Sequence, residues 1–211
     1  MGEFINTSSI NAEQKGSEED DKFDSAVAEI LSEYEKKTPF EQKVMREIII
    51  GNMVSRDSVA RTERMSHSHK PVSVKDMKER FEHYFNNSLN CGGFALEVYG
   101  CFFTHTKSAE EAVKRVLETA PFARLRQDND DVPGPDEYRV LYRHQEGGFS
   151  HHFVKEENGK LIEKDGSGPV KDFVEWPENL KDAPEVEFIV NRNHDIQQYD
   201  EDGLPKGVFY I

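Results

Sequence analysis

Two stretches of this chain place reactive side chains where backbone geometry favours chemistry. In Asn90-Cys91-Gly92-Gly93-Phe94-Ala95-Leu96 a polar loop delivers a cysteine to the expected first turn of a helix. The N–H groups and partial positive charge at a helix start favour thiolate over thiol, and the same N–H groups can bind a developing oxyanion. Each glycine there costs about 1 kcal/mol of helix propensity. In exchange, their missing side chains leave room for a substrate backbone to approach the sulfur. The competing reading is structural: a small buried hydrophobe, with glycines that mark a tight turn.

The second stretch is Phe149-Ser150-His151-His152-Phe153-Val154, a strand pattern with histidine near its middle. Glu156-Glu157-Asn158-Gly159 then reads as an Asn-Gly hairpin, returning a strand that contains Glu163, with Asp165 just beyond. Neighbouring strands lie about 4.8 Å apart, so a polar group on the returning strand can orient an imidazole. Thiol, base and acid thus follow one another along the chain, the parts list of a nucleophilic cysteine site. The plainer alternative for the histidines is a paired surface strand. A metal site fits less well. His151 and His152 point to opposite faces of a strand, and two cysteines ten residues apart lack zinc-type spacing. His67-Ser68-His69 lies in a polar loop and reads as solvated. Neither a metal nor a cofactor is expected.

The elements that must position these residues divide into helices first and strands second. Residues 1–22 are polar and end in an acidic run, Glu18-Glu19-Asp20-Asp21, which reads as a disordered tail. Phe23, Val27, Ile30, Leu31 and Tyr34 keep helical spacing. Thr38-Pro39-Phe40-Glu41 is a capping box with proline at the first helical position, opening a helix whose apolar face is Phe40, Val44, Met45, Ile48 and Ile49. Residues 55–72 have weak periodicity and read as a loop or frayed helix end. Ser73 caps a helix with Met77, Phe81, Tyr84 and Phe85 on one face, and Asn86 to Asn90 is expected to break it. A helix starts at Cys91, with Ala95 and Val98 beneath the sulfur. Ser108-Ala109-Glu110-Glu111 caps another, with Ala112, Val113, Val116 and Leu117 inward. After a loop at 127–137, strands are expected at 138–143, 149–155, 160–164, 185–190 and 207–211. This is an α+β order, N-terminal helices followed by an antiparallel sheet. Three parts are expected: a tail at 1–22, a helical extension at 23–72 and an α+β domain at 73–211.

The whole-chain properties narrow the function classes. The 211 residues carry a net charge of -14 and are 36% hydrophobic. The charge argues against nucleic-acid and anionic-membrane partners, which are themselves negative. It leaves open a basic protein partner for the acidic surface. Two cysteines, about 15 Å apart if they share one helix, cannot form a disulfide. Free thiols point to a reducing compartment. No signal peptide or run of 18 apolar residues is present, so a cytoplasmic protein, or one exported by a signal-less route, is expected.

The segments Asn90-Cys91-x-x-Phe94-Ala95 and His152-Phe153-Val154, followed by Gly159-x-Leu161-x-Glu163-Lys164-x-Gly166, resemble the papain-like fold in its NlpC-type branch. The resemblance spans about residues 86–170. It implies a motif cysteine opening a helix packed on an antiparallel sheet, Cys91 as nucleophile, His152 as general base and Glu163 as the orienting residue. His151 is the alternative base. Asn90 and the Cys91 N–H would shape the oxyanion region. Glu163 stands where histidine or asparagine is frequent in such proteins. The implied activity is that of a cysteine peptidase, amidase or acyl transferase on a peptide or amide-containing substrate. The alternative is a non-catalytic, acidic interaction protein that binds and modulates a partner.

Overall fold

The computed structural model describes residues 28–29, 32–46, 82–83 and 85–211. The chain divides into two units, Met1–Glu82 and His83–Ile211. In the first, residues 32–35 and 39–46 are helical, and the capping box forms. The Glu41 N–H donates to Thr38 Oγ1 at 3.2 Å, and the Thr38 N–H donates to Glu41 Oε2 at 2.9 Å. Phe40, Val44 and Met45 are buried, as the spacing predicts. The expected tail, the apolar positions Phe23, Val27, Ile30, Leu31, Ile48 and Ile49, the Ser73 cap, and His67 and His69 lie outside the described residues.

The second unit holds the sheet. Its helices are α1 (Cys91–Ala95) and α2 (Ala109–Thr119). Its strands are β1 (Cys101–Phe103), β2 (Ala123–Leu125), β3 (Glu137–His144), β4 (His151–Glu157), β5 (Lys160–Lys164), β6 (Val170–Asp172), β7 (Glu185–Asn191) and β8 (Val208–Tyr210). Six of them form one antiparallel sheet in the order β2-β7-β3-β4-β5-β6, while β1 and β8 pair parallel as a separate ribbon. The Asn158-Gly159 turn joins β4 to β5, with both residues at positive φ (53° and 74°), the backbone such a hairpin demands. Strand alternation gives the sheet two faces. Tyr138, Val140, Tyr142, Phe153, Phe188 and Val190 pack with Ala95, Ala112 and Val116 of the helices. Leu141, Val154 and Ile189 alternate with them and are buried on the other side. There Arg143 bonds the Leu180 carbonyl at 3.1 Å and lies over the Trp176 ring.

Three expectations need correction. The Asn-Ser run does not end its helix at once: residues 85–88 are helical, and the break falls at Leu89-Asn90. Asn87 explains this, because its amide donates back to the His83 carbonyl at 2.7 Å rather than competing for the next turn. Cys91 and Cys101 do not share a helix, since α1 ends after one turn and Cys101 opens β1. Strands β1, β2 and β6 were not anticipated, each being three residues long, too short for a visible alternation. No helix among the described residues is long and apolar enough to cross a membrane.

A buried ionic cluster ties α1 to the sheet. Glu97, just past α1 in the left-handed region (φ 52°), accepts from Lys155 Nζ at 2.6 Å and Arg192 Nη1 at 2.9 Å. Lys155 also pairs with Glu157, and both cations lie over the Tyr138 ring, whose hydroxyl donates to the Ala95 carbonyl at 2.9 Å. Removing one partner of a buried pair leaves an uncompensated charge and costs about 3–5 kcal/mol. Lys155→Met is therefore expected to lower stability by that amount in a denaturant titration, with much of the loss recovered in Lys155→Met/Glu97→Gln. A loss below about 1 kcal/mol would remove this cluster from the account of how α1 is held.

Candidate functional site

The position of Cys91 is set by close backbone packing. A Cβ at Gly93 would lie 1.8 Å from the Gly100 carbonyl oxygen, and one at Gly92 would lie 2.7 Å from the Phe102 Cβ. The space left by the two glycines is therefore filled by the protein itself, not kept open for a substrate backbone. Asn90 is the helix cap. Its Oδ1 accepts from the Gly93 N–H at 3.2 Å and from the Phe102 N–H at 3.0 Å, while its Nδ2 donates to the Phe102 carbonyl. Both ends of that amide are thus engaged with α1 and β1. The N–H groups of Phe153, Gly92 and Cys91 turn toward the sulfur.

The thiol itself is buried, and burial pushes it up to about 11. The N–H groups of Phe153 and Gly92 donate to the sulfur and pull the other way, and the Asp165 carboxylate adds to the rise. A one-turn helix has too few aligned peptides to build a useful macrodipole, so the expected thiolate stabilisation at its start is outweighed. At neutral pH Cys91 is a protonated thiol. The Cys101 thiol is half-buried and is also pushed up by burial.

His152 and Glu163 are brought together. Nε2 of His152 lies 2.7 Å from Glu163 Oε2, both side chains being buried. A carboxylate only accepts, so Nε2 carries the hydrogen and Nδ1 is left as the basic nitrogen. Lys171 Nζ sits 3.3 Å from the other Glu163 oxygen, and the Trp176 ring meets the imidazole edge-on at 6.2 Å between centroids. The pair lines an open groove of about 380 Å³ with Asp165, Lys171, Trp176 and Glu178. Cys91 is not among the lining residues. Its link to the pair is the Phe153 amide, whose nitrogen is bonded directly to the His152 carbonyl carbon and whose hydrogen reaches the sulfur.

His151 takes the other face, the one that α1 covers. It sits opposite His144 in the β3–β4 register and meets Phe153 and Tyr142 through its ring. Its Nδ1 bonds Thr104 Oγ1, and burial lowers it to about 4, so the ring is neutral. Tyr142 is fully buried beside it, its phenol pushed up by burial and by the Cys91 charge. No group of three or more His, Cys, Asp or Glu among the described residues is arranged to hold a metal. Sequence reading missed Trp176, Lys171, Thr104 and Tyr142. Only Trp176 left a signal, as the chain's single tryptophan beside a proline.

Against this geometry, no family model, no curated protein and no solved structure matches the chain.

The lowered His151 makes a pH prediction. Unfolded histidine titrates near 6.5, so as pH falls from about 6.5 to 4 the unfolded chain takes up a proton that the folded chain refuses. Its stabilising contribution is complete above that window and is lost on descending through it. His151→Gln should flatten the fall of the unfolding midpoint between pH 6.5 and 4. Identical slopes for variant and parent would contradict the burial of a neutral ring there.

Proposed function

We propose that this chain is a cysteine hydrolase or acyl transferase with a papain-like, NlpC-type core, acting on an amide or thioester bond of a peptide or other amide-containing substrate. One observation carries the reading. The amide that donates to the Cys91 sulfur is that of Phe153, the residue following His152, and the His152 imidazole is held through Nε2 by Glu163. Nucleophile and base are thus linked through one peptide unit of β4, while the His152 and Glu163 side chains lie on the sheet face opposite the one that α1 covers. In the proposed reaction an imidazole of β4 takes the Cys91 proton as the sulfur attacks the carbonyl: His152 through Nδ1, or the alternative base His151, which lies on the face that α1 covers. The thiol is neutral at rest, so proton transfer accompanies attack instead of preceding it. The tetrahedral oxyanion falls to the backbone N–H groups of Cys91 and Gly92, since the Asn90 amide is engaged in capping. The protonated imidazole returns its proton to the leaving group, and water or an amine releases the acyl group from the sulfur.

A second reading, a non-catalytic protein that binds and modulates a partner through its acidic surface, is favoured by the burial of Cys91 and its high thiol pKa. Labelling of the native protein with an acylating or haloacetamide peptide probe, followed by intact mass and peptide mapping, separates the two. The enzyme reading expects one adduct, lost in Cys91→Ala and retained in Cys101→Ala. Its formation should slow about a hundredfold or more in His152→Ala, the usual share of general acid–base catalysis. Equal slow labelling of both cysteines, indifferent to His152, would favour the binding protein.

A further inference from the structure

Polar groups that are out of solvent and lack a hydrogen bond gather on the sheet face that α1 covers. Tyr142 and His144 sit one alternation apart on β3, opposite Phe153 and His151 of β4. Both are 1% exposed. Among the described residues, the Tyr142 hydroxyl, both ring nitrogens of His144 and Nε2 of His151 make no hydrogen bond of ordinary geometry. The Tyr142 ring lies 4.5 Å from that of Phe153, whose N–H reaches the Cys91 sulfur, and 6.3 Å from that of His151. His151 and Thr104 are partly exposed, so the cluster meets solvent along their edge. A buried hydroxyl without a partner costs stability, and phenylalanine would pack the same ring without that cost. The hydroxyl at residue 142 therefore calls for a use outside folding.

We propose that Tyr142 is a further catalytic residue, its hydroxyl donating a hydrogen bond to the oxyanion that forms when the Cys91 sulfur adds to a carbonyl. The inference rests on the proposed acylation of Cys91 and holds for either imidazole of β4 as base. Burial pushes the phenol up most, the Cys91 charge adds to the rise and Thr104 opposes it, so the sulfur is within electrostatic reach. No hydrogen bond joins hydroxyl and sulfur at rest. The donor is thus unspent until an oxygen is attached beside the sulfur. In the step itself the sulfur, its proton taken by the imidazole, forms a bond to the carbonyl carbon. The C=O π pair moves onto the oxygen, which accepts from the backbone N–H groups of Cys91 and Gly92 and from the Tyr142 hydroxyl. The phenol ionises less readily than the thiol, so it keeps its proton throughout and acts only as a donor. When the pair returns, the bond to the leaving group breaks and the imidazolium protonates the departing atom.

Two reagents separate this role from a structural one. The ester p-nitrophenyl acetate acylates a thiol through a tetrahedral oxyanion and releases p-nitrophenolate. Iodoacetamide alkylates the same thiol by displacing iodide and forms no oxyanion. Modification of Cys91 by each is followed by peptide mapping of the full chain, in the parent and in Tyr142→Phe. Acylation should slow about a hundredfold or more in the variant, the usual share of one oxyanion donor, while alkylation stays within about threefold. The unfolding midpoint should stay level or rise, since an unpaired buried hydroxyl is removed. Tyr210→Phe, which removes an exposed hydroxyl from β8, should change neither rate. Unchanged acylation in Tyr142→Phe, an equal fall in both reactions, or an equal loss of acylation in Tyr210→Phe would overturn the proposal. A lowered midpoint would also overturn it, by showing that the hydroxyl serves the fold. Acylation and alkylation of Cys91 at parental rates in Tyr142→Phe would leave the enzyme reading standing without this residue. A parent chain whose Cys91 reacts with neither reagent would end both.

Discussion

A carbonyl oxygen of Gly100 occupies the space where any side chain at residue 93 would have to be, and the placement of the site follows from that contact. It presses α1 onto the loop behind it, while Phe102 and Phe153 close on Gly92 from the sheet side. Asn90 caps the helix with one hydrogen bond and joins it to β1 with two more, and Glu97 joins the helix end to Lys155 and Arg192. A five-residue helix has little stability of its own. Here it is held at both ends, and the sulfur at its first residue is fixed against the amide of β4.

That seating has an electrostatic consequence. Bringing the sulfur against Phe153 takes it out of water, and desolvation outweighs the N–H groups that favour the thiolate. The thiol at rest is thus neutral, and the His152 imidazole, on the other face of β4, carries its proton on Nε2 against Glu163. An ion pair of thiolate and imidazolium is not the ground state. The two histidines, adjacent in sequence, have different surroundings because a strand turns alternate residues to opposite faces. His152 has an acid partner and a groove, while His151 is enclosed with Thr104, Tyr142 and Phe153.

What could be read from the residues follows from the range of the interactions involved. The Thr38–Glu41 capping box, the Asn158-Gly159 hairpin, the Ser108 cap and the inward faces of Val44 and Val116 depend on neighbours within a few positions, and each appears in the fold. The pairing of His152 with Glu163 was legible for the same reason, because one tight turn sets their register. The role of Gly92 and Gly93 was misread, since their neighbours Phe102 and Gly100 come from a turn that no periodicity reveals. Thr104, Tyr142 and Trp176 reach the histidines through strand order and a long loop. The burial of Cys91 is a property of the assembled sheet, and motif residues alone suggest the opposite protonation state.

The account depends on energetic contact between the thiol at residue 91 and the imidazole at residue 152. Titrating the His152 ring by nitrogen-15 NMR, in the parent and in Cys91→Ala, measures that contact without reference to any substrate. The account predicts an Nε2–H tautomer in both proteins and a ring titration displaced when the thiol is removed. Superimposable titration curves, or a ring protonated on Nδ1, would contradict it.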